Sequence, residues 1–390
     1  MKKAWLASLV AIFGGISLAL VQNKISPIMP IIIEEFNVSM NTAGLLSSIF
    51  AVMGMVMAIP AAFILKKLGP KKAGLISLSF AILGSIIGVV SSNFTILVIS
   101  RIVEGTGVGI IAVLAPALVS MWFPVEKRGV PMAVWGCWMM VSQVLLFLFA
   151  APLTNKFGWV SMWYFGLISC LIAAVLFMFF VSAPPDESNY ALENEQEDKV
   201  SIVEGLKNKS SWTLGLGATL FTFCSFSFVS WIGLYWSNAT GWSLDKVSLF
   251  ISLLYAVEII YAIIVGFILN KTSNRKRLLV IAFILYALVG FTSFRIESQI
   301  LVIAMVFIFP IFDGMVPSIL WTIAPQTAKN PIFIGVSLGI LNIGLNLGTL
   351  LSAPVSGWLV EMYGWSSIGF LFAGVALVGA FVAQRVKLYN

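Results

Sequence analysis

Five ionisable side chains stand inside otherwise apolar stretches of this sequence: Lys24, Arg101, Glu104, Glu258 and Asp313. A charge at the centre of a hydrocarbon layer costs at least about 2.5–3.5 kcal/mol, so such residues line a wet cavity or meet a partner. Arg101 and Glu104 are three apart and therefore neighbours on one helix face. An internal ion pair would neutralise both, yet Arg101 keeps donors beyond one carboxylate contact, enough to grip a ligand carboxylate. Lys24 shares a helical stripe with Gly14, Ser17 and Val21. That placement reads either as an anion-binding cation or as a lysine snorkelling toward the outer interface.

Glu258 lies on a stripe with Ser248, Ser252 and Tyr255, and Asp313 sits between Pro310 and Pro317. No Lys or Arg lies deep in a helix of the second half of the chain. A carboxyl group kept from water without a cationic partner can take up and release a proton, which is what proton coupling requires. Hydrogen bonding to backbone is the structural alternative. Glu104, Glu258 and Asp313 are the proton-coupling candidates. The substrate-binding candidates are Lys24, Arg101, Trp135, Trp138, Tyr255, Trp321, Asn342 and Asn346. Trp135 and Trp138 share a face with Ser142, and Asn342 and Asn346 form a polar stripe with Thr349. Trp231, Tyr235 and Tyr261 also fall in helices prone to line a cavity. Packing and interfacial belts compete for the aromatics. Interhelical hydrogen bonds of about 0.6 kcal/mol each compete for the asparagines, as does close packing at Gly339 and Gly344.

The elements that carry these residues follow from composition. Of 390 residues, 60% are hydrophobic and 10% charged, with a mean hydropathy of +1.02; a soluble domain is roughly 25% charged. A membrane-spanning helix needs about 20 mainly apolar residues. The expected spans are 4–33, 42–65, 73–90, 94–121, 131–153 and 161–182, then 212–236, 245–269, 278–294, 300–324, 332–356 and 366–384. The fold class is therefore an all-α membrane protein with twelve transmembrane helices.

The formal charge of +7 does not point to nucleic acid, because the basic residues punctuate apolar runs instead of forming one face. With the N-terminus inside, eighteen of the 23 Lys and Arg residues fall on the inner side and three (Lys156, Lys246 and Arg295) on the outer. That bias predicts a multi-pass protein of the cell membrane with both termini cytoplasmic. Met1-Lys2-Lys3 and the apolar run after it imitate a secretory signal. No small-x-small cleavage site follows and the run continues past Lys24, so it reads as a retained first helix. Cys137, Cys170 and Cys224 all lie in apolar runs, which makes a disulfide framework improbable. The absence of histidine removes His-ligated metal sites and His proton relays. No cofactor and no metal are expected. No Ser/His or Cys/His constellation appears and the loops are short, so an enzyme or a sensor is not expected.

Residues 184–210 form the one long polar segment, opened by Pro184-Pro185 and rich in acids. It reads as a cytoplasmic linker between an N-terminal six-helix bundle, 1–183, and a C-terminal one, 211–390. The two halves echo each other. Ala62-Phe63-Ile64-Leu65-Lys66-Lys67 matches Gly266-Phe267-Ile268-Leu269-Asn270-Lys271, and Phe157-Gly158-Trp159 matches Tyr363-Gly364-Trp365. The offsets of 204 and 206 residues are nearly one value. Internal duplication into parallel six-helix repeats is a known transporter plan.

Four stretches also carry a family resemblance that extends over the whole chain. The segment from Ala62 to Lys72 resembles the G-x-L-a-D-R-x-G-R-R loop of the major facilitator superfamily, with Ala62 for the first glycine and Lys66 for the aspartate. The gating ion pair ascribed to that aspartate is not expected here, and Asn270 takes the same place in the second copy. Arg101-Ile102-Val103-Glu104-Gly105-Thr106-Gly107-Val108-Gly109 is similar to the family's R-x-x-x-G-x-G-x-G stretch. Trp122-Phe123-Pro124 with Arg128-Gly129 resembles the inner loop of its organic- and inorganic-anion branches, and Ser211–Gly215 is similar to cyanate-permease-like members. The drug/proton antiporter pattern of the fifth helix is missing.

The resemblance implies two pseudo-symmetric six-helix bundles and alternating-access transport. The expected activity is proton-coupled uptake of a small organic anion. The alternative is a proton-coupled exporter of organic cations or amphipathic drugs, drawn by cation–π contact. The expected partners are a small-molecule substrate, protons and the lipid bilayer, with no nucleic acid and the chain acting as a monomer.

Overall fold

The computed structural model describes residues 2–123, 129–181, 205–272, 274–330 and 333–389. Most of the linker, the Pro124–Arg128 motif and the side chains of Ala62, Lys66 and Asn270 lie outside the described residues. Among the described residues every regular element is a helix. Twelve helical spans are long and apolar enough to cross a membrane.

By contacts the chain divides into two compact units. The first comprises Met1–Asn37 and Ile49–Glu195. It holds α1 (Lys2–Asn23), α2 (Met29–Phe36), α4 (Phe50–Val89), α5 (Phe94–Trp122), α6 (Gly129–Gly136), α7 (Trp138–Phe157) and α8 (Ser161–Phe180). The second comprises Val38–Ser48 and Gln196–Asn390. It holds α3 (Met40–Ser48), α9 (Lys209–Thr240), α10 (Leu244–Lys271), α11 (Arg275–Ser293), α12 (Gln299–Ile323), α13 (Ile334–Tyr363) and α14 (Ser366–Arg385).

Three expected spans turn out to be irregular. The first, 4–33, is broken after Asn23: a 3-10 turn over Ser26–Ile28 separates α1 from α2. Pro27 and Pro30 sit at the starts of the two following pieces, where a missing N–H does no harm. The second, 42–65, is divided between α3 and α4, and it stays distinct from 73–90, because within α4 Gly69 leaves helical geometry (φ 76°, ψ 168°) in front of Pro70. The expected span 131–153 is interrupted at Cys137, between α6 and α7.

Side chains cap several helix starts: Asn93 accepts the N–H of Ile96 and Asn274 that of Arg277. Such caps satisfy donors that a helix start leaves open. The two matched segments found in the sequence share a backbone corner. Gly158 ends α7 at φ 73°, ψ 176°, and Gly364 ends α13 at φ 78°, ψ 175°. Small residues set the close packing in the second unit. A β-carbon on Gly344 would come within 2.1 Å of the Gly215 carbonyl oxygen, whereas one on Gly339 would meet nothing within 4 Å. Outward positions are apolar, including Phe179 and Ile300, as lipid contact requires.

Candidate functional site

In the first unit the break after α1 meets the middle of α5. The carbonyl groups that end a helix have no intrahelical donor and carry the negative pole of its dipole. Arg101 supplies both needs. Its Nη1 donates to the Val21 carbonyl at 2.6 Å, and its Nη2 donates to that of Gln22. Nη1 also donates to Oε2 of Glu104 at 2.7 Å, one turn along α5. The other carboxylate oxygen, Oε1, lies 2.6 Å from the ammonium of Lys24, just beyond α1, and accepts the hydroxyl of Ser85 on α4 at 2.9 Å.

All three charged residues are fully buried. Lys24 does not snorkel outward; its Nζ lies 4.3 Å from the ring centre of Trp163 on α8. Two glycines open the space: a β-carbon on Gly84 would come 2.6 Å from Cγ of Glu104, and one on Gly88 would come 1.9 Å from the Trp163 indole nitrogen. Two cations against one carboxylate leave one net positive charge, of which the α1 dipole offsets about half. Removing one partner of such a buried pair costs roughly 3–5 kcal/mol, so the triad both braces the helix break and carries a local positive field.

The second unit holds the acids. Glu258 on α10 and Asp313 on α12 are each 4% exposed, and the two interact electrostatically. Gly314 permits their approach: a β-carbon there would lie 3.3 Å from Cγ and 3.8 Å from Oε1 of Glu258. Asp313 is held from two sides. Tyr286 on α11 donates its hydroxyl to Oδ1, and Ser225 on α9 donates to Oδ2 at 3.2 Å. Oε2 of Glu258 is buried without a hydrogen-bond partner. No Lys or Arg pairs with either carboxyl among the described residues.

The remaining candidates sit as follows. Trp135 and Trp138 stack with ring centres 4.6 Å apart, across the break between α6 and α7. They press on α1, where a β-carbon on Gly15 would come 2.3 Å from the Trp135 ring. Tyr255 is buried one turn before Glu258, with Ser248 and Ser252 buried on the same stripe. Asn346 donates Nδ2 to the carbonyl of Asn342 at 2.9 Å, both half-buried on α13. Trp321 is 46% exposed. Trp231 is spent on packing: its indole N–H bonds the Ser356 hydroxyl at 2.9 Å and the Ala353 carbonyl at 3.2 Å.

The structure thus joins Lys24 to Arg101 and Glu104, and Glu258 to Asp313. Sequence reasoning missed Ser85, Trp163, Ser225 and Tyr286. Tyr286 had a legible signal, a lone phenol in the middle of an apolar helix. The serines had none, since hydroxyls recur throughout these helices.

Twelve apolar spans with buried ion clusters and unmatched acids define a membrane transporter. The family model of the Major Facilitator Superfamily matches residues 7–332, and the chain belongs to that family. A probable sulfoacetate transporter of Cupriavidus necator is 24% identical over 93% of this chain and 89% of its own length. A hexuronate transporter of Bacillus subtilis is 22% identical over 95% and 91%. Among solved structures, an inward-facing, occupied bacterial homologue of the human lysosomal transporter Spinster superposes with a TM-score of 0.76, covering 98% of this chain and 96% of that one at 15% identity. That likeness shows the fold, two six-helix halves of the superfamily. The chain is a multi-pass secondary transporter and not an enzyme.

Proposed function

We propose that this transporter takes up a small organic anion together with protons, with both termini in the cytoplasm. The observation that carries the reading is the buried surplus of positive charge at Lys24, Arg101 and Glu104. A cation held in a low-dielectric environment without full compensation attracts an anion. Lys24 is engaged by Glu104, so the reading rests on the net field of the cluster and not on a free ammonium. Two relatives named for anions, sulfoacetate and hexuronate, point the same way. Glu258 and Asp313 supply carboxyl groups with no cationic partner among the described residues, as proton coupling needs.

The deciding experiment is uptake into proteoliposomes over a panel of carboxylates and amines, with and without an inward proton gradient. Carboxylates are expected to accumulate, and to do so only when the gradient is present. Carriage of amines alone would overturn the anion reading, and would favour the cationic exporter to which the two acids would then belong. Carboxylate uptake indifferent to the gradient would remove the proton.

A further inference from the structure

We propose that the two acids of the second unit have different tasks: Glu258 loads and unloads the transported proton, Asp313 stays ionised beside it, and Tyr286 is a positioning residue that keeps Asp313 so. The proposal rests on the proton-symport reading. It starts from an asymmetry of hydrogen bonds. Both oxygens of Asp313 accept a hydroxyl proton, from Tyr286 on α11 and from Ser225 on α9. That is the bonding of a carboxylate, an acceptor only.

Glu258 has the opposite surroundings. Its Oε2 is buried and accepts nothing. A bare ionised oxygen in that position carries the full cost of lost hydration, and a proton on it removes the charge. Two interacting carboxyl groups that no cation compensates resist being ionised together, so the doubly charged state of the pair is the higher-energy one. The groups that face the pair from the packed elements are Tyr255 on α10, Tyr286 on α11 and Cys224 on α9. None is a cation. Tyr286 is fully buried and its ring meets Phe372 on α14 at 4.7 Å between centres, which fixes the direction of the hydroxyl.

The step balances simply. An O–H bond forms on Glu258 as a proton arrives from water on one side, taking the pair from two negative charges to one. The same bond breaks when the proton leaves to water on the other side. Asp313 exchanges nothing and sets, by repulsion, how firmly Glu258 holds its proton.

The test compares Glu258→Gln, Asp313→Asn, Tyr286→Phe and Ser225→Ala in proteoliposomes, with monodispersity in detergent as the check on folding. Wild-type uptake driven by a pH gradient is the precondition. If it is absent, the proton-symport reading itself fails and the division of labour goes with it. Given it, Glu258→Gln should lose gradient-driven accumulation while substrate homoexchange, which moves no net proton, stays measurable. Asp313→Asn should remain gradient-driven, with half-maximal uptake displaced to lower pH because the repelling charge is gone. Tyr286→Phe should displace it to higher pH by roughly half a unit or more, with Ser225→Ala moving it the same way by less. The proposal is overturned if Asp313→Asn is the variant that uncouples. A well-folded Tyr286→Phe whose pH profile matches the wild type also overturns it. Should Glu258→Gln fail to fold, the Asp313→Asn and Tyr286→Phe profiles still decide the matter.

Discussion

The ammonium of Lys24 lies 2.6 Å from a carboxylate oxygen of Glu104, a residue eighty positions further along the chain. Because Glu104 also pairs with Arg101, one acid serves two buried cations, and the three residues are not equivalent under substitution.

Glu104→Gln should be the most damaging change in the first unit. It leaves two cations buried together, at a cost on the order of 3–5 kcal/mol. Lys24→Met retains the Arg101–Glu104 pair and much of the side-chain volume, so the fold should survive it better. It also removes the surplus positive charge, and carboxylate uptake should fall at least about tenfold, the equivalent of 1.4 kcal/mol. Thermal unfolding in detergent and uptake in proteoliposomes check the two halves. Equal destabilisation by the two variants would contradict the shared-acid picture.

Arg101→Lys should behave more like Arg101→Ala than like the wild type. A lysine has one ammonium and cannot serve the Val21 and Gln22 carbonyls and Glu104 with the geometry of a planar fork. The carbonyl groups at the end of α1 would lose their donor at about 1–3 kcal/mol. Faster hydrogen exchange at Val21–Ile28 is the expected signature; unchanged exchange there would show that the fork does not brace the break.

Gly344→Ala and Gly339→Ala, on the same helix α13, should differ sharply. The added methyl meets the Gly215 carbonyl at 2.1 Å in the first case and open space in the second. Backbone cannot swing aside as a side chain does, so Gly344→Ala should cost roughly 1–3 kcal/mol. Gly339→Ala should be neutral or slightly stabilising, since alanine is the better helix former. Melting curves of the two proteins decide it.

Topology can be read with single cysteines on a background in which Cys137, Cys170 and Cys224 are serine. Glu297→Cys, in the loop after α11, should react with a membrane-impermeant maleimide added to intact cells. Tyr389→Cys should react only after permeabilisation. The reverse pattern would invert the orientation derived from the basic residues.

Much of this was legible in the sequence, for definite physical reasons. Span number follows from hydrocarbon thickness, and Phe94–Trp122 and Ser366–Arg385 lie within a residue of the expected 94–121 and 366–384. The break at Asn23, the division of the second span between α3 and α4 and the interruption at Cys137 were not foreseen. Hydropathy averages over a window and does not register single-residue bends. The Arg101–Glu104 pair followed from helical spacing, a local matter. Lys24 and Glu104 meet only through the packing of α1 on α5, and a contact of that kind leaves no trace in either segment alone. Trp135 and Trp138 share a face as read, but the glycine that accepts them, Gly15, lies on another helix.

The matching corners at Gly158 and Gly364 bear on how such a chain can be built. Six crossings return the polypeptide to its starting side, so a copy fused behind the sixth meets the insertion machinery the same way round. Doubling the gene therefore preserves the charge bias of each copy, and the two copies are free to diverge afterwards. The first unit houses a cationic knot and the second a pair of acids, so two halves that share a backbone corner carry opposite electrostatic characters.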